Sequence, residues 1–215
     1  MAAKKLTSRI KKNFGLALAN EPLTELKAQL QSLKSARPLV KREDGRYEGD
    51  ILGFVKGLRL SAGLIHFLDE RLEGVGVEVS WGHLLDDKKD SCSPECDVII
   101  HSRGAWRRWN GRRKSIMEFK FIEVAKVRAV VSCKSQLSSI DKRYAKDLKK
   151  FGVNKVFLFA ECCSAGRFVK LSQDAKKAGY CGLCCLYFTG AGGAFQEVDP
   201  KMWMDFANLV SKAVQ

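Results

Sequence analysis

The chain has 215 residues, of which 46% are hydrophobic and 29% are charged. These values are typical of a globular domain and exclude wholesale disorder, a collagen-like fibre and a small disulfide scaffold. The 38 Lys and Arg residues outnumber the 24 Asp and Glu residues, which gives a net charge of +14. Such an excess favours a polyanionic partner, with nucleic acid first and an anionic membrane surface second.

No apolar run approaches the roughly 18 residues that a membrane-spanning helix needs. The basic first residues are not followed by an apolar stretch, so they do not resemble a secretory signal, and we expect a cytoplasmic protein. The eight cysteines are then expected to be reduced and mostly buried thiols. The spacings Cys92–Cys96 and Cys181–Cys184 also suit a zinc site, but alternation along a strand would point Cys181 and Cys184 to opposite faces.

The first part of the chain, residues 1–45, is predicted to be a basic helical leader followed by a linker. Leu23, Leu26, Leu30 and Leu33 recur at helical spacing, and Pro38 marks the end of that helix. The polar run 41–45, which ends in a turn-forming Asp-Gly, joins the leader to a domain at 46–215.

The domain opens with a helical pattern from Ile51 to Leu72, in which Gly53, Gly57 and Gly63 predict a kink or a break. Strand patterns follow in quick succession, and a loop at 86–94 separates the first two. The predicted strands are Val75–Trp81, Cys96–His101, Ile116–Phe121 and Val127–Lys134.

After Lys134 the pattern alternates between helix and strand, which predicts parallel strands in that half. A capping box at Ser138–Asp141 starts a helix, and Asp199-Pro200 starts the last one. Between them lie Val153–Ala160 (strand), Arg167–Ala178 (helix) and Leu183–Thr189 (strand). The predicted fold class is α/β, with a mixed central sheet flanked by helices.

Two charged residues occupy unusual places in this pattern. Asp97 heads the apolar run Asp97-Val98-Ile99-Ile100, and Lys134 ends the run Ala129-Val130-Val131-Ser132-Cys133-Lys134-Ser135. A charge at the edge of a buried strand needs a partner, because an unpaired buried charge costs several kcal/mol.

These two runs and the element order resemble the PD-(D/E)xK nuclease superfamily, which is restriction-endonuclease-like. Residues 57–134 are similar to an uncharacterised bacterial branch that carries strands of the form D-I-V-I and A-V-I-E-V-K-S. The resemblance implies a metal-dependent DNA endonuclease that uses Mg2+, or Mn2+ in its place. It implies that Asp97 is a metal ligand, that Lys134 is the catalytic cation and that the Cys133 carbonyl is a further ligand.

The chain departs from the family pattern at Ser132, which stands where the motif acid is expected. In one interpretation another carboxylate completes the metal site. Asp147 on the following helix is the preferred candidate, whereas Asp141 is better explained as the capping acid. Weaker candidates are Glu95, Glu118 and Glu123. In the alternative interpretation the site is inactive and the fold serves as a non-catalytic nucleic-acid-binding protein.

The segment 103–114 holds six cations, two tryptophans and no acid, and its turn residues place it in a loop or hairpin tip after the Asp97 strand. Arginine pairs with phosphate oxygens and tryptophan stacks on bases. We therefore predict that this segment contacts nucleic acid, DNA rather than RNA, and that no membrane is involved. A homodimer is a candidate assembly. The predicted contacts are Arg103, Trp106, Arg107, Arg108, Trp109, Arg112, Arg113 and Lys114.

Overall fold

The computed structural model of the chain describes residues 49–108, 120–190 and 194–215. The predicted leader at 1–45 and the greater part of the arginine-rich segment lie outside these residues. Within the described part, no helix is long and apolar enough to cross a membrane.

Four α-helices flank the sheet in the described chain. They are α1 (Gly49–Arg71), α2 (Tyr144–Lys150), α3 (Ala165–Ala178) and α4 (Pro200–Val214). Helix α1 runs through its glycines for 23 residues, since Leu60, Leu64 and Leu68 at helical spacing are buried against the sheet and outweigh the low helix propensity of glycine. At the start of α4 the Asp199 side chain accepts a hydrogen bond from the Lys201 N–H, and proline follows Asp199 as predicted.

The strands form one mixed sheet in the order β4-β5-β1-β3-β6-β7-β8-β9, with β2 paired to β1. Strands β6, β7 and β8 are mutually parallel, which confirms the prediction for the second half of the chain. The strands are β1 (Val77–Asp86), β2 (Ser91–Cys92), β3 (Cys96–Ser102), β4 (Trp106–Arg108), β5 (Lys120–Glu123), β6 (Val127–Leu137), β7 (Val156–Ser164), β8 (Gly182–Thr189) and β9 (Phe195–Glu197).

The sheet separates two apolar cores. Helices α1 and α4 cover one face, where Leu68, Trp203 and Phe206 are buried. Helices α2 and α3 cover the other, where Leu148, Leu171 and the strand residues between them are buried. The observed fold confirms the predicted α/β class with a mixed sheet flanked by helices.

Several predicted boundaries were wrong. Strand β1 begins at Val77 and runs to Asp86, and the short strands β2 and β9 were not predicted. The capping box does not start a helix at residue 138, because β6 continues to Leu137 and α2 begins only at Tyr144. Asp141 instead holds the turn that leads into α2, since its Oδ1 accepts hydrogen bonds from the N–H groups of Arg143 and Tyr144.

Candidate active site

Asp97 lies at an irregular point in the pairing of β1 with β3. Ser80 pairs with Ile99 and Gly82 pairs with Cys96, so that one residue of β1 stands opposite two residues of β3, Asp97 and Val98. Two residues facing one is the arrangement of a β-bulge, which bends the strand and re-aims a side chain. The bulge therefore accounts for a polar side chain at the head of an otherwise apolar strand.

The Asp97 carboxylate is held by the neighbouring strand β6. Its Oδ2 accepts a hydrogen bond of 2.7 Å from the Cys133 backbone N–H and a longer one of 3.4 Å from the Ser132 hydroxyl. Because the N–H and C=O of one strand residue point to the same side, the Cys133 carbonyl also faces β3. The structure thus brings Asp97, Ser132 and Cys133 together, as the motif resemblance implied.

The electrostatic environment of Asp97 is mixed. Burial raises the pKa of the carboxyl above its ordinary 3.8, while the Cys133 N–H and the charge of Lys134 oppose that rise. The negative charge of Glu95, two residues before Asp97, adds slightly to the rise. A carboxylate whose pKa is raised is a stronger base than a free aspartate once it is ionised.

Lys134 completes the cluster from the same strand as Ser132. It is solvent-exposed and lies two residues beyond Ser132, so strand alternation puts both side chains on one face. Val130, two residues before Ser132, lies on the same face of β6 and belongs to the core beneath α2 and α3. The Ser132 and Lys134 side chains therefore stand on the face of the sheet that these two helices cover. Lys134 is thus an exposed cation at the edge of a half-buried carboxylate.

Tyr144, the first residue of α2, lies near Cys96 and within electrostatic reach of Asp97. Its hydroxyl oxygen is buried and makes no well-formed hydrogen bond within the described residues. Burial raises its pKa, and the nearby Cys96 thiol and Asp97 carboxylate raise it further. The phenol is therefore a neutral group set beside Asp97.

A cleft of about 250 Å³ opens beside Lys134. Its apolar wall includes Leu137 and Leu158, and its polar rim includes Gln136, Ser139 and Asp141. The rim is held in place at Asp141, whose backbone carbonyl accepts a hydrogen bond of 3.1 Å from the Tyr180 hydroxyl. The cleft is therefore a built feature at the end of β6 and adjoins the Asp97–Lys134 cluster.

The other acids that the sequence suggested stand elsewhere or outside the described residues. Asp147 is partly exposed and pairs with Lys150 at 2.7 Å. Glu95 lies just before β3 and is exposed, Glu123 ends β5, and Glu118 falls in the undescribed range 109–119. Recruitment of Asp147 as the second carboxylate stays a prediction.

The described residues do not by themselves fit a divalent metal ion. Mg2+ prefers several hard oxygen ligands in octahedral geometry, yet the described ranges contain no group of three or more His, Cys, Asp and Glu side chains that could hold a metal. Asp97 is the carboxylate of the cluster, and its Oδ2 is already engaged by β6. The eight cysteines are free thiols, and within the described ranges they form no group that could hold zinc.

One residue of the arginine-rich segment, Arg108 in β4, lies level with the head of β3 across the sheet. Arg108 pairs with Lys120, Lys120 with Gly82, and Gly82 with Cys96, so that one row of residues joins β4 to the head of β3. Three strand spacings separate the ends of this row, about 14 Å. Arg103 lies within 4.0 Å of Glu78. Trp109, Arg112, Arg113 and Lys114 fall outside the described residues.

Other nucleophilic or basic groups are poorly placed for chemistry. His101 is fully buried, with its Nδ1 against the Ser102 carbonyl and its Nε2 against the Ser80 hydroxyl. Burial also raises the pKa of the Cys133 thiol well above its ordinary range. A buried imidazole and a buried neutral thiol are poorly placed to act on a substrate in solvent.

Solved structures of NucC share this architecture. NucC from P. aeruginosa ATCC27853 in its cAAA-bound form superposes with a TM-score of 0.54 at 12% identity, over 93% of this chain and 91% of that chain. The chain has the NucC fold. NucC from E. coli MS115-1 gives a TM-score of 0.54 at 10% identity in its cAAA-bound form, over 94% of this chain and 90% of that chain. The apo form of the E. coli protein gives a TM-score of 0.50 at 14% identity, over 76% of this chain and 90% of that chain.

No protein-family model matches the sequence, and neither does any curated protein. The superposition on NucC shows a common fold. At these sequence identities it does not assign roles to individual residues, and those roles rest on the residues' own geometry. The common fold fits the superfamily resemblance that the Asp97 and Lys134 strands carry.

Sequence reasoning missed the bulge, the cleft and the position of Tyr144. The run Ser138–Asp141 carried a signal for the cleft, but it was interpreted only as a helix start. Nothing in the sequence indicates that the Tyr144 hydroxyl is buried near Asp97.

Proposed function

We propose that this chain is an endonuclease that hydrolyses DNA phosphodiester bonds at the cluster of Asp97, Ser132, Cys133 and Lys134. The observation that carries the proposal is the short hydrogen bond between Cys133 N–H and Asp97 Oδ2, which sets a half-buried acid beside an exposed lysine. The fold supports it, because the architecture shared with NucC fits the superfamily resemblance of the Asp97 and Lys134 strands.

The chemistry of the proposal follows from the two charges. Hydrolysis needs a water oxygen to attack phosphorus while the bond to the leaving oxygen breaks, and negative charge builds up on the phosphoryl oxygens meanwhile. Lys134, exposed at the cleft, opposes that charge. Asp97, whose pKa is raised by burial, orients the water and accepts its proton.

Dependence on Mg2+ or Mn2+ stays a prediction from the resemblance. The described residues supply one carboxylate to such an ion, so a complete metal site needs a further acid, of which Asp147 is the candidate that the sequence favours. Titration of the purified protein with Mn2+ by calorimetry, beside Asp147→Asn, tests this directly. A metal affinity that the variant leaves unchanged would remove Asp147 from the site.

DNA contact is proposed for the arginine-rich segment. Arg108 of this segment is level with the head of β3 across three strand spacings, so that a duplex bound there can also reach the cluster. The net charge of +14 agrees with a phosphate-binding surface. We also propose that the substrate is DNA rather than RNA and that the protein assembles as a homodimer.

A second function is a non-catalytic nucleic-acid-binding protein on the same fold. The observation that favours it is Ser132, whose hydroxyl hydrogen-bonds to Asp97 where the motif would supply an acid. In that case the cluster is a structural remnant, and only the basic surface acts on nucleic acid.

Paired variants separate the two functions. In a nuclease, Asp97→Ala abolishes cleavage and leaves DNA affinity nearly unchanged, whereas Arg107→Ala with Arg108→Ala weakens binding and lowers the slope of log affinity against log salt by about 0.9 for each lost phosphate contact. Asp205→Ala, exposed on α4 at the opposite face, is the control. DNA that is bound by every protein and cut by none would support the binding protein.

A further inference from the structure

The cleft beside Lys134 has walls of two kinds. Leu137 and Leu158 are almost fully buried and form an apolar side. Gln136, Ser139 and Asp141 are exposed and form a polar rim. An apolar wall with a few polar groups is typical of a site for a small molecule.

The size of the cleft limits what it can hold. A volume of about 250 Å³ falls just below the range of pockets for drug-sized ligands. One heterocyclic base is a ligand of this size class.

The charge of the rim argues against a phosphate inside the cleft. Asp141 accepts the two N–H groups at the start of α2 through Oδ1, which leaves Oδ2 for a ligand that donates hydrogen bonds. A carboxylate repels a phosphate but accepts from the amino group of a base, as Asp and Glu do with cytosine. The Gln136 amide and the Ser139 hydroxyl can both donate and accept, as base edges require.

We propose that this cleft receives one unstacked nucleobase of the substrate strand, next to the phosphate that Lys134 contacts. This proposal rests on the proposed function, which supplies DNA as the substrate. It adds that the bound strand has one base turned out of the stack and into the cleft. Turning out a base is more costly in a duplex than in a mismatch or a single strand. The cleft therefore favours mismatched, frayed or single-stranded DNA over a perfect duplex.

The rim is rigid enough to read a base. Tyr180 fixes the Asp141 carbonyl at 3.1 Å, and Asp141 in turn fixes the start of α2. An Asp141→Asn substitution preserves the acceptor at Oδ1 and replaces the free oxygen by an amino group. It should keep the fold and change which base edge the cleft accepts.

The test uses oligonucleotides that carry the fluorescent base 2-aminopurine at successive positions, bound to the non-cleaving Asp97→Asn protein. We expect fluorescence to rise at least about threefold at one position, because 2-aminopurine brightens when it leaves the stack. Adding Ser139→Phe, which fills the cleft, should abolish this rise. Adding Asp141→Asn should weaken it, and adding the control Asp205→Asn should leave it unchanged.

The outcomes separate this proposal from the proposed nuclease function. No rise at any position, or a rise that persists unchanged with Ser139→Phe, overturns the base-binding cleft whether or not the wild-type protein cuts DNA. A rise that Ser139→Phe abolishes, in a protein whose wild type never cuts, retains the cleft and overturns the nuclease.

Discussion

Replacing Asp97 by asparagine should raise the free energy of unfolding at pH 7 while abolishing cleavage. Burial raises the pKa of the Asp97 carboxyl above its ordinary 3.8, so the ionised form is less stable in the folded protein than in the unfolded chain. Asparagine removes the charge and keeps an oxygen that accepts the Cys133 N–H. A residue retained at a cost to stability is the mark of a functional position.

The pH dependence of this effect has a definite sign. As pH rises from 3.8 towards the higher folded-state pKa, the unfolded chain loses the proton first, and the wild-type protein loses stability relative to Asp97→Asn. The difference then stays constant to neutral pH and vanishes below about pH 3.8. Only a carboxylate whose pKa is raised by folding makes the wild-type protein lose stability relative to Asp97→Asn as the pH rises.

Comparison with alanine isolates the hydrogen bond. Asp97→Ala leaves the Cys133 N–H without its 2.7 Å acceptor, and an unsatisfied buried donor costs about 1–3 kcal/mol. Asparagine should therefore be more stable than alanine by about 1–3 kcal/mol, which is roughly 2–12 °C in Tm for a domain of this size. Urea and thermal unfolding at pH 7 and pH 4 measure both differences.

Activity must be measured on the same proteins. Asp97→Asn should reduce cleavage at least about hundredfold. If Asp97→Asn instead unfolds more easily than the wild type and still cuts DNA, then Asp97 is a structural cap of β6 and the assignment of the site is wrong.

Three further predictions concern the surroundings of the cluster. Tyr144→Phe should raise Tm by a few degrees, since it removes a buried hydroxyl that has no well-formed hydrogen bond in the described chain. A lowered Tm in thermal unfolding would show that the hydroxyl is bonded. Burial lowers the pKa of His101 below 6.5, so stability should fall as pH drops through 6.5, where the unfolded imidazole takes up a proton first; His101→Gln should flatten that slope in urea titrations, and an unchanged slope would contradict it. Gly82→Ala should destabilise by at least about 2 kcal/mol, because at a φ of +144° its Cβ would overlap the Lys120 carbonyl; an unchanged urea midpoint would refute this.

The elements that local patterns determine were predicted well. Strand β3 was placed to within one residue, and the parallel order of β6, β7 and β8 followed from helices alternating with strands. Asp199 and Pro200 start α4 as predicted, because an N-cap followed by proline acts within a few residues of sequence.

The features that long-range contacts determine were not predictable. The bulge at Asp97 depends on the register between β1 and β3, and no single strand contains that register. The extension of β6 to Leu137 and the late start of α2 depend on partners far along the chain, since β6 pairs with β7 up to Cys163 and Tyr180 holds Asp141. The capping residues at Ser138–Asp141 therefore lie in the loop between β6 and α2 and do not start a helix there.

For the site, the sequence placed Asp97 and Lys134 near one another through motif resemblance, and the hydrogen bonds of Asp97 to Ser132 and Cys133 agree with that placement. It could not predict the cleft or the buried hydroxyl of Tyr144, because both arise where a strand end, a loop and a helix start meet in space.

The most direct test of the central claim is cleavage of supercoiled and linear DNA by the purified protein with Mg2+, with Mn2+ and with EDTA. Lys134→Ala is assayed beside it, with Lys212→Ala on the opposite face as the matched control. We predict cuts by the wild type and by Lys212→Ala that Lys134→Ala loses at least about hundredfold while it remains folded and bound to DNA. Equal cleavage by Lys134→Ala, or DNA binding without cleavage by all three proteins in every metal condition, would contradict the assignment of a nuclease centre at Asp97 and Lys134.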